Sequence, residues 1–373
     1  MSAFLDWLAE RAGSRAAAGL HREVRPFKAG EILDLAGNDY LGLRRHPAVV
    51  AGAVAAAETY GGGAGASRLV TGTLGIHEEL EQALCRLTGA ASALVFSTGY
   101  HANLGALGAL ADADTLIVSD AHAHASLIDG ARLSRGTVVV SRHNDIAHVS
   151  ELLAQRTQRR AIVVVESIYS VFGDAAPLAE FAALTADHDA VLLVDDAHGI
   201  GVIGARGEGG PAAVGILDQD QVVVTGTLSK SLGAQGGVVF GHLAVREHLV
   251  NVARPFIYDT GLAPAAAGAA LGALEVLSRE PDRPVSVRAN AARLADACGV
   301  ATPAGAVLSV PMPGPAEALE AVAVAQSRGI RIGCFRPPST PDGSSRLRLT
   351  AHADHRPDEL DRAATVLAEL TRG

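Results

Sequence analysis

Between Ser92 and Val239 the chain alternates short, continuous apolar runs with stretches in which apolar residues recur every three or four positions. The runs are Ala93–Phe96, Thr115–Val118, Val138–Val140, Ile162–Val165, Val191–Val194, Val222–Val224 and Val238–Phe240. Rich in β-branched side chains and lacking polar alternation, they predict strands buried on both faces. The helical spacing between them predicts crossover connections, so the expected fold is α/β, a mainly parallel seven-stranded sheet with helices on both faces. Ligands in such sheets bind beyond the carboxyl ends of the strands.

The flanks read differently. Residues 2 to 19 have helical spacing, and Leu33-Asp-Leu-Ala leads into Gly37-Asn38-Asp-Tyr40-Leu-Gly42. After the sheet come two alanine-rich helical segments, near 264 to 279 and 285 to 297. A smaller α+β unit follows: strand Val307–Val310, helix Ala316–Ser327, strands Arg331–Gly333 and Ser345–Thr350, and helix Pro357–Leu370. We expect a large domain at 46–280, a small carboxyl-terminal domain at 281–373, and an amino-terminal segment, 1–45, packing with the small one.

Composition narrows the function. A net charge of −9 with no basic run argues against nucleic acid and anionic membranes as partners. The amino terminus carries charges where a signal peptide needs an apolar core, and no apolar run approaches the ~20 residues of a membrane span. The three cysteines, Cys85, Cys298 and Cys334, form neither a metal spacing nor a disulfide set, which fits free thiols in a reducing cytoplasm.

Only two of the 31 cations are lysine, Lys28 and Lys230. Lys230 ends the run Val222-Val-Val-Thr-Gly-Thr-Leu-Ser-Lys230, where an apolar strand breaks into small hydroxyl residues. An amine that loses its proton and condenses with a carbonyl is chemistry that arginine cannot supply. One strand-helix unit earlier, Ala190-Val-Leu-Leu-Val-Asp195-Asp-Ala-His198 ends a strand in a carboxylate and, three residues on, an imidazole. Pyridoxal 5'-phosphate needs a lysine for its aldehyde, an acid for its pyridine nitrogen and donors for its phosphate. Lys230 and Asp195 meet the first two needs, and Thr227 and Ser229 are suitable phosphate or ring neighbours. Both segments follow strands, which places them at one edge of the sheet.

Other segments fit the same edge. In Ser97-Thr-Gly99-Tyr100 a glycine turn opens a helix whose free amides suit a phosphate, and Tyr100 can pack beside a planar ring. Asp120-Ala-His122-Ala-His124 invites a metal reading, but no acidic or cysteine partner lies near in sequence; we expect no metal, a stacked imidazole at His124 and a solvent-facing His122. Ser170, after the strand Ile162–Val165, is a candidate donor to the ring oxygen or a substrate carboxylate. The loop Gly61-Gly-Gly-Ala-Gly-Ala-Ser67-Arg68 lacks the lysine of a nucleotide P-loop and reads as a close backbone approach at a subunit interface or site wall.

With these residues in hand the chain resembles the α-oxoamine synthases, fold-type I pyridoxal phosphate enzymes. The resemblance runs nearly full length through Asn38-Asp-Tyr-Leu-Gly-Leu, Ser67-Arg-Leu-Val-Thr-Gly, His77-Glu-Glu-Leu-Glu, Ser97-Thr-Gly-Tyr, His124-Ala-Ser, Val194-Asp-Asp-Ala-His-Gly, Thr227-Leu-Ser-Lys and Arg346-Leu-Arg-Leu-Thr350. It implies that Lys230 binds the cofactor aldehyde, Asp195 pairs with the pyridine nitrogen, His198 approaches the phenolic oxygen and His124 stacks on the ring, with Gly99, Tyr100, Ser170 and Thr227 completing the shell. It also implies that Arg348 and Asn38 hold the amino-acid carboxylate, and that Thr350 and an amino-terminal arginine meet the acyl substrate. Similar enzymes carry adjacent arginines after Gly-Leu, whereas this chain has Gly19-Leu20-His21-Arg22-Glu23, so Arg22 is the candidate.

The stretch Cys334-Phe-Arg-Pro-Pro-Ser-Thr-Pro-Asp-Gly points to the biotin branch of the family. The implied reaction condenses L-alanine with a pimeloyl thioester, on CoA or on an acyl-carrier protein, with loss of carbon dioxide. Arg22, Arg25 and Arg336 are candidates to meet the far carboxylate of that acyl chain. Family dimers share the site, and Thr260 matches the residue that reaches the neighbour's phosphate. The competing readings are a sibling such as glycine C-acetyltransferase or 5-aminolevulinate synthase, and a non-catalytic subunit, against which intact Lys230, Asp195 and His124 argue.

Overall fold

The computed structural model describes residues 2–17, 21, 24, 26, 32–337 and 340–371. Residues 34–373 form one compact unit and the preceding 33 another. The described part of the latter is essentially one helix, α1 (Ala3–Ala17), with no buried residue. Arg22, Arg25 and Lys28 lie outside the described residues.

All seven apolar runs are strands: β1 (Ser92–Phe96), β2 (Thr115–Asp120), β3 (Thr137–Ser141), β4 (Arg160–Glu166), β5 (Val191–Asp195), β6 (Val222–Thr227) and β7 (Gly237–Gly241). Their order across the sheet is β1-β7-β6-β5-β4-β2-β3. Every neighbouring pair is parallel except those made by β7, which runs antiparallel to both β1 and β6. The carboxyl ends of β1, β2, β4, β5 and β6 therefore share one edge.

Both faces are covered over the central strands, but the edge strand β3 departs from the expected burial and leaves Val138 and Val140 exposed. Ile162 and Val164 of β4 join Leu193, Val223 and Val239 in a cluster packed on α4 (Gly99–Leu110) and α5 (Ala125–Leu133). Val163 and Val165 face the opposite side, by the two-residue period of a strand, and are equally buried. Each such fully buried aliphatic side chain contributes about 1.5–3 kcal/mol relative to exposure, which holds the sheet rigid under the loops at its edge.

The carboxyl-terminal part contains a three-stranded antiparallel sheet, β9-β10-β8, made of β8 (Val307–Met312), β9 (Gly333–Phe335) and β10 (Ser345–Thr350). The expected strand Arg331–Gly333 is two pieces, Ile330–Arg331 and Gly333–Phe335, of which only the second pairs with β10. The sheet brings its central residue Arg348 back toward the main site: Arg348 is buried, and its Nε donates to the Ser170 carbonyl at 2.7 Å. Among the described residues no helix is long and apolar enough to cross a membrane, and all three cysteines are free.

Candidate active site

The strand ends enclose a cavity of about 260 Å³ lined by Thr98, Gly99, Tyr100, Asn103, His124, Ser126, Glu166, Asp195, Ala197, His198, Gly226, Thr227, Ser229 and Lys230. Eight of the residues expected from sequence are in this wall: Gly99, Tyr100, His124, Asp195, His198, Thr227, Ser229 and Lys230.

At one end Lys230 Nζ lies 2.8 Å from His198 Nε2. Burial lowers the Lys230 amine to about 8, with Arg348 acting in the same direction and Asp195 and Glu166 opposing. His198 is held well below its ordinary range by burial, Lys230 and Arg348, so the imidazole is neutral. Its Nδ1 is 2.6 Å from the Tyr40 hydroxyl, which in turn reaches Asn38 Oδ1 at 3.1 Å. Both terminal nitrogens of Arg348 donate to that same Asn38 oxygen at 3.2 Å. One assignment of protons satisfies the row: Lys230 donates to His198 Nε2, His198 Nδ1–H donates to Tyr40, and Tyr40 donates to Asn38. Burial pushes the Tyr40 phenol up to about 12, so it keeps its proton.

Across the cavity Asp195 ends β5 and is only 6% exposed. Asn103 Nδ2 donates to its Oδ2 at 2.7 Å and the Ala197 amide to its Oδ1 at 2.9 Å. Asn103 also donates to Ser126 Oγ at 2.8 Å, and Ser126 bonds His124 Nδ1 through its hydroxyl at 2.7 Å and its amide at 3.2 Å. His124 Nδ1 is thus an acceptor, which fixes the tautomer with the proton on Nε2. Although the side chain is exposed at the opening, desolvation by the wall around it lowers its pKa, which favours the neutral ring. The neighbouring Asp196 turns away to Ser167 and to the Gly210 amide, and does not line the cavity.

The third wall is the start of α4. Thr98 caps that helix, accepting from the His101 amide at 3.0 Å, which leaves the amides at Gly99 and Tyr100 facing the opening. A Cβ on Gly99 would come within 2.9 Å of Thr227 Cβ, so only glycine lets the turn approach β6 this closely. The Thr227 hydroxyl donates to the Gly236 carbonyl at 3.0 Å and accepts from the Ser229 amide at 3.2 Å, and the two hydroxyls are 2.7 Å apart.

Glu166, at the end of β4 and directly opposite Asp195 in the strand register, is an addition that sequence reasoning passed over. Its Oε2 accepts from the Ser170 amide at 3.1 Å, while its Oε1 is buried without a partner. Burial, and then the Asp195 charge, raise its pKa well above the ordinary range, which favours the protonated acid. Asn103, Ser126 and Tyr40 were passed over too.

Other expected residues sit apart. Ser170 touches the wall only through Glu166 and Arg348. Thr350 is fully buried with its hydroxyl 2.5 Å from the Gly37 carbonyl, so it steadies the Asn38 segment instead of facing the cavity. Thr260 is exposed and bridges Ser67. Asp120, His122 and His143 do cluster closely enough to share a cation, His143 supplying the partner that local sequence lacked. His122 is not solvent-facing as expected; it is half-buried and stacks on His143 at 3.7 Å.

The donor set fits pyridoxal phosphate. A depressed amine, a hydrogen-bonded carboxylate across the cavity, a neutral imidazole between them and a glycine-opened helix start match the group's aldehyde, ring nitrogen, ring face and phosphate, and the unpartnered Glu166 oxygen awaits a polar atom.

A family profile described as aminotransferase class I and II matches residues 30–367, and the chain belongs to that family, whose cofactor here is pyridoxal phosphate. A serine palmitoyltransferase from S. paucimobilis, solved with PLP and myriocin bound, superposes with a TM-score of 0.90 at 30% identity over 98% of this chain and 97% of that one. Within the family the chain groups with the 8-amino-7-oxononanoate synthases. That of Mycolicibacterium gilvum is 54% identical over 368 residues, covering 98% of this chain and 97% of the relative, and that of Mycobacterium marinum is 50% identical over 371 residues, covering 99% and 95%. The solved 8-amino-7-oxononanoate synthase of Francisella tularensis has a TM-score of 0.77 at 25% identity over 91% of this chain and 98% of that one.

Proposed function

We propose a division of labour among these residues for the reaction that the close relatives define, the decarboxylative condensation of L-alanine with pimeloyl-CoA or pimeloyl-acyl-carrier protein to 8-amino-7-oxononanoate, carbon dioxide and the free thiol carrier. The observation that carries it is the Lys230 amine, lowered to about 8 and held 2.8 Å from a neutral imidazole. When bound, the cofactor supplies an aldehyde for amino groups and a protonated ring that draws electrons from the substrate Cα.

Lys230 takes the Cα proton of alanine and later returns one, a role for which an amine near 8 is well poised at neutral pH. His198, neutral and donating from Nδ1 to Tyr40, accepts from Lys230 at Nε2 and so holds the amine in place on the cofactor's phenolic side. Asp195, oriented by Asn103 and the Ala197 amide, holds a proton on the pyridine nitrogen. His124 covers one ring face. Arg348 and Asn38 form the seat for the alanine carboxylate, and their present mutual bonds are the ones that carboxylate replaces. The carboxylate leaves as carbon dioxide after the acyl carbon has bonded to Cα, and the carrier leaves as a thiol.

The acyl side is assigned to Arg22, outside the described residues, and to Arg336, just after β9. The domain division at 46–280 and 281–373, after an amino-terminal segment at 1–45, and a cytoplasmic setting belong to the same reading. So does a homodimer. A groove of about 1110 Å³ between α2 (Pro47–Tyr60), α3 (Gly75–Thr88) and α9 (Pro264–Arg279), floored by Gly52, Gly268 and Gly272, supports a second copy there, with exposed Thr260 reaching that copy's phosphate.

The 0.90 superposition on serine palmitoyltransferase favours a second reading, serine with a long acyl thioester. Alanine, glycine and serine offered against pimeloyl, acetyl, succinyl and palmitoyl thioesters, with the ketone identified by mass, decide between them. We expect alanine with pimeloyl thioester to be fastest by a wide margin; preference for serine with palmitoyl thioester would overturn the assignment while leaving the cofactor residues in place.

A further inference from the structure

Outside the cavity wall lies a second, partly buried polar cluster at the ends of β2, β3 and β4. His143, just past β3, is bonded at both ring nitrogens: Nδ1 to Asp120 Oδ1 at 2.8 Å and Nε2 to Asp174 Oδ2 at 2.7 Å. Asn144, a non-glycine residue held at φ 52°, doubles both links. Its amide donates to Asp120 Oδ2 at 2.9 Å, and its side chain to Asp174 Oδ2 at 3.2 Å and the Ala175 carbonyl at 3.1 Å. A left-handed, hydrogen-bonded asparagine between two carboxylates costs backbone energy that the surroundings must repay.

The two carboxylates belong to the two segments that deliver groups to the site. Asp120 begins the turn that ends at His124, and its Oδ1 also accepts from the His122 amide at 2.8 Å. Asp174 closes the loop carrying Ser170: its carbonyl accepts from the Tyr169 amide at 2.9 Å, and Gly173, at φ 77°, is pressed on Val307, where a Cβ would come within 2.0 Å of the carbonyl oxygen. That loop supplies the carbonyl that seats Arg348 Nε and the amide that holds Glu166.

We propose that His143 is a positioning residue, a cationic strut that ties the His124 turn to the Ser170 loop and thereby sets Arg348 for the amino-acid carboxylate. The carboxylate role of Arg348 is taken from the functional reading above; the strut itself is not. An imidazole can bond two carboxylates at once only with a proton on each nitrogen. Burial works against that charge, but the hydrogen bonds to Asp120 and Asp174 outweigh it and raise the ring to about 9. The groups facing it are Asp120 and His122 from the β2 end, Tyr169 and Asp174 from the Ser170 loop, and Arg142, Asn144 and Asp145 from its own segment, with the Asp342–Arg346 pair behind His122 and Phe172. Tyr169 is buried, and His122, stacked on the cation, is lowered by burial and then by His143, so it stays neutral. A group raised above its unfolded value contributes fully below about 6.5, and its contribution disappears as pH rises through about 9.

The test uses the holoenzyme labelled with ¹⁵N-histidine, the His143 signal being assigned by its loss in His143→Gln. Long-range ¹H–¹⁵N correlations should show both nitrogens protonated at pH 7.5, with a midpoint near 9 that falls in Asp174→Asn. In steady state, His143→Gln and Asp174→Asn should raise the KM for L-alanine about tenfold with kcat within about threefold. The wild-type KM should rise above pH 8.5, and that rise should be absent in His143→Gln. A singly protonated His143 at pH 7.5 overturns the proposal, as does an unchanged KM in variants with native circular dichroism. Stoichiometric metal in the purified holoenzyme, lost in His143→Gln, would also overturn it. Should a variant fail to fold, the wild-type titration still decides. If borohydride fails to fix the cofactor on Lys230, the functional reading falls while the His143 titration stands on its own.

Discussion

Asn103→Ala should cripple Cα chemistry while leaving the fold nearly as stable. The amide touches no expected substrate atom; it donates to Asp195 at 2.7 Å and to Ser126 at 2.8 Å. A hydrogen bond to a buried charge is worth about 1.5–3 kcal/mol, which at 1.36 kcal/mol per decade is roughly a 10- to 150-fold effect. Losing it disfavours ionised Asp195 and so the proton it holds on the pyridine nitrogen. Stability falls by less, because Asn103 Oδ1 is already buried without a partner and its removal relieves part of that cost. The assay is exchange of the alanine Cα proton in deuterium oxide with no acyl thioester present, which isolates this step from acyl specificity. We expect the rate to fall at least tenfold at wild-type cofactor occupancy. Exchange within threefold of wild type would refute the idea that Asp195 depends on this amide. Asn103→Asp gives a sharper contrast, since two adjacent carboxyls cannot both ionise and the one that keeps its proton can donate to the other; its residual exchange should recover as pH falls, the opposite of the Ala variant's flat response.

Borohydride reduction and peptide mapping should place the phosphopyridoxyl group on Lys230 and not Lys28, and apoenzyme should capture pyridoxal phosphate at a rate rising with pH through about 8, because only the free amine attacks; a midpoint near an ordinary lysine's would contradict the burial argument. Arg348→Lys should raise the KM for alanine about tenfold or more, since a buried fork engaging Asn38 and Ser170 becomes a point charge, and an unchanged KM would leave Arg348 a structural tie. Gly99→Ala should weaken cofactor binding, measured by fluorescence titration, because its Cβ would meet Thr227 at 2.9 Å and push the α4 start away from β6.

The strands were legible because one buried on both faces is continuously apolar, and their β-branched content set these runs apart from alanine-rich helical ones such as Ala53–Ala57; the edge strand β3 shares that composition without the burial. Their antiparallel member was not. Val238–Phe240 has the same composition as its parallel neighbours, and its direction follows from the short link after Thr227, which runs through Lys230 and leaves no room for a crossover helix. The small sheet was read nearly to the residue, save where Arg331–Gly333 breaks into two pieces with different partners.

The site divides along a physical line. Lys230, Asp195 and His198 could be read because each combines a rare or charged residue with an apolar strand end, a local conflict that a sequence tolerates only for a reason. Asn103, Tyr40 and Glu166 carry no such mark. Asn103 lies on a helix, Tyr40 in a turn, and Glu166 reads as the polar end of a strand; each gains meaning only from a partner far along the chain, Asp195 for Asn103, His198 for Tyr40, and Asp195 across the register for Glu166. Glu166 makes the limit plain. Burial is the first cause of its raised pKa and the Asp195 carboxyl the second, and both follow from placing β4 beside β5 in one particular register. A shift of one residue would turn Glu166 to the other face and leave Asp195 the lone acid of the cavity. The charge state of the site is therefore a property of strand pairing, which no window of local sequence contains.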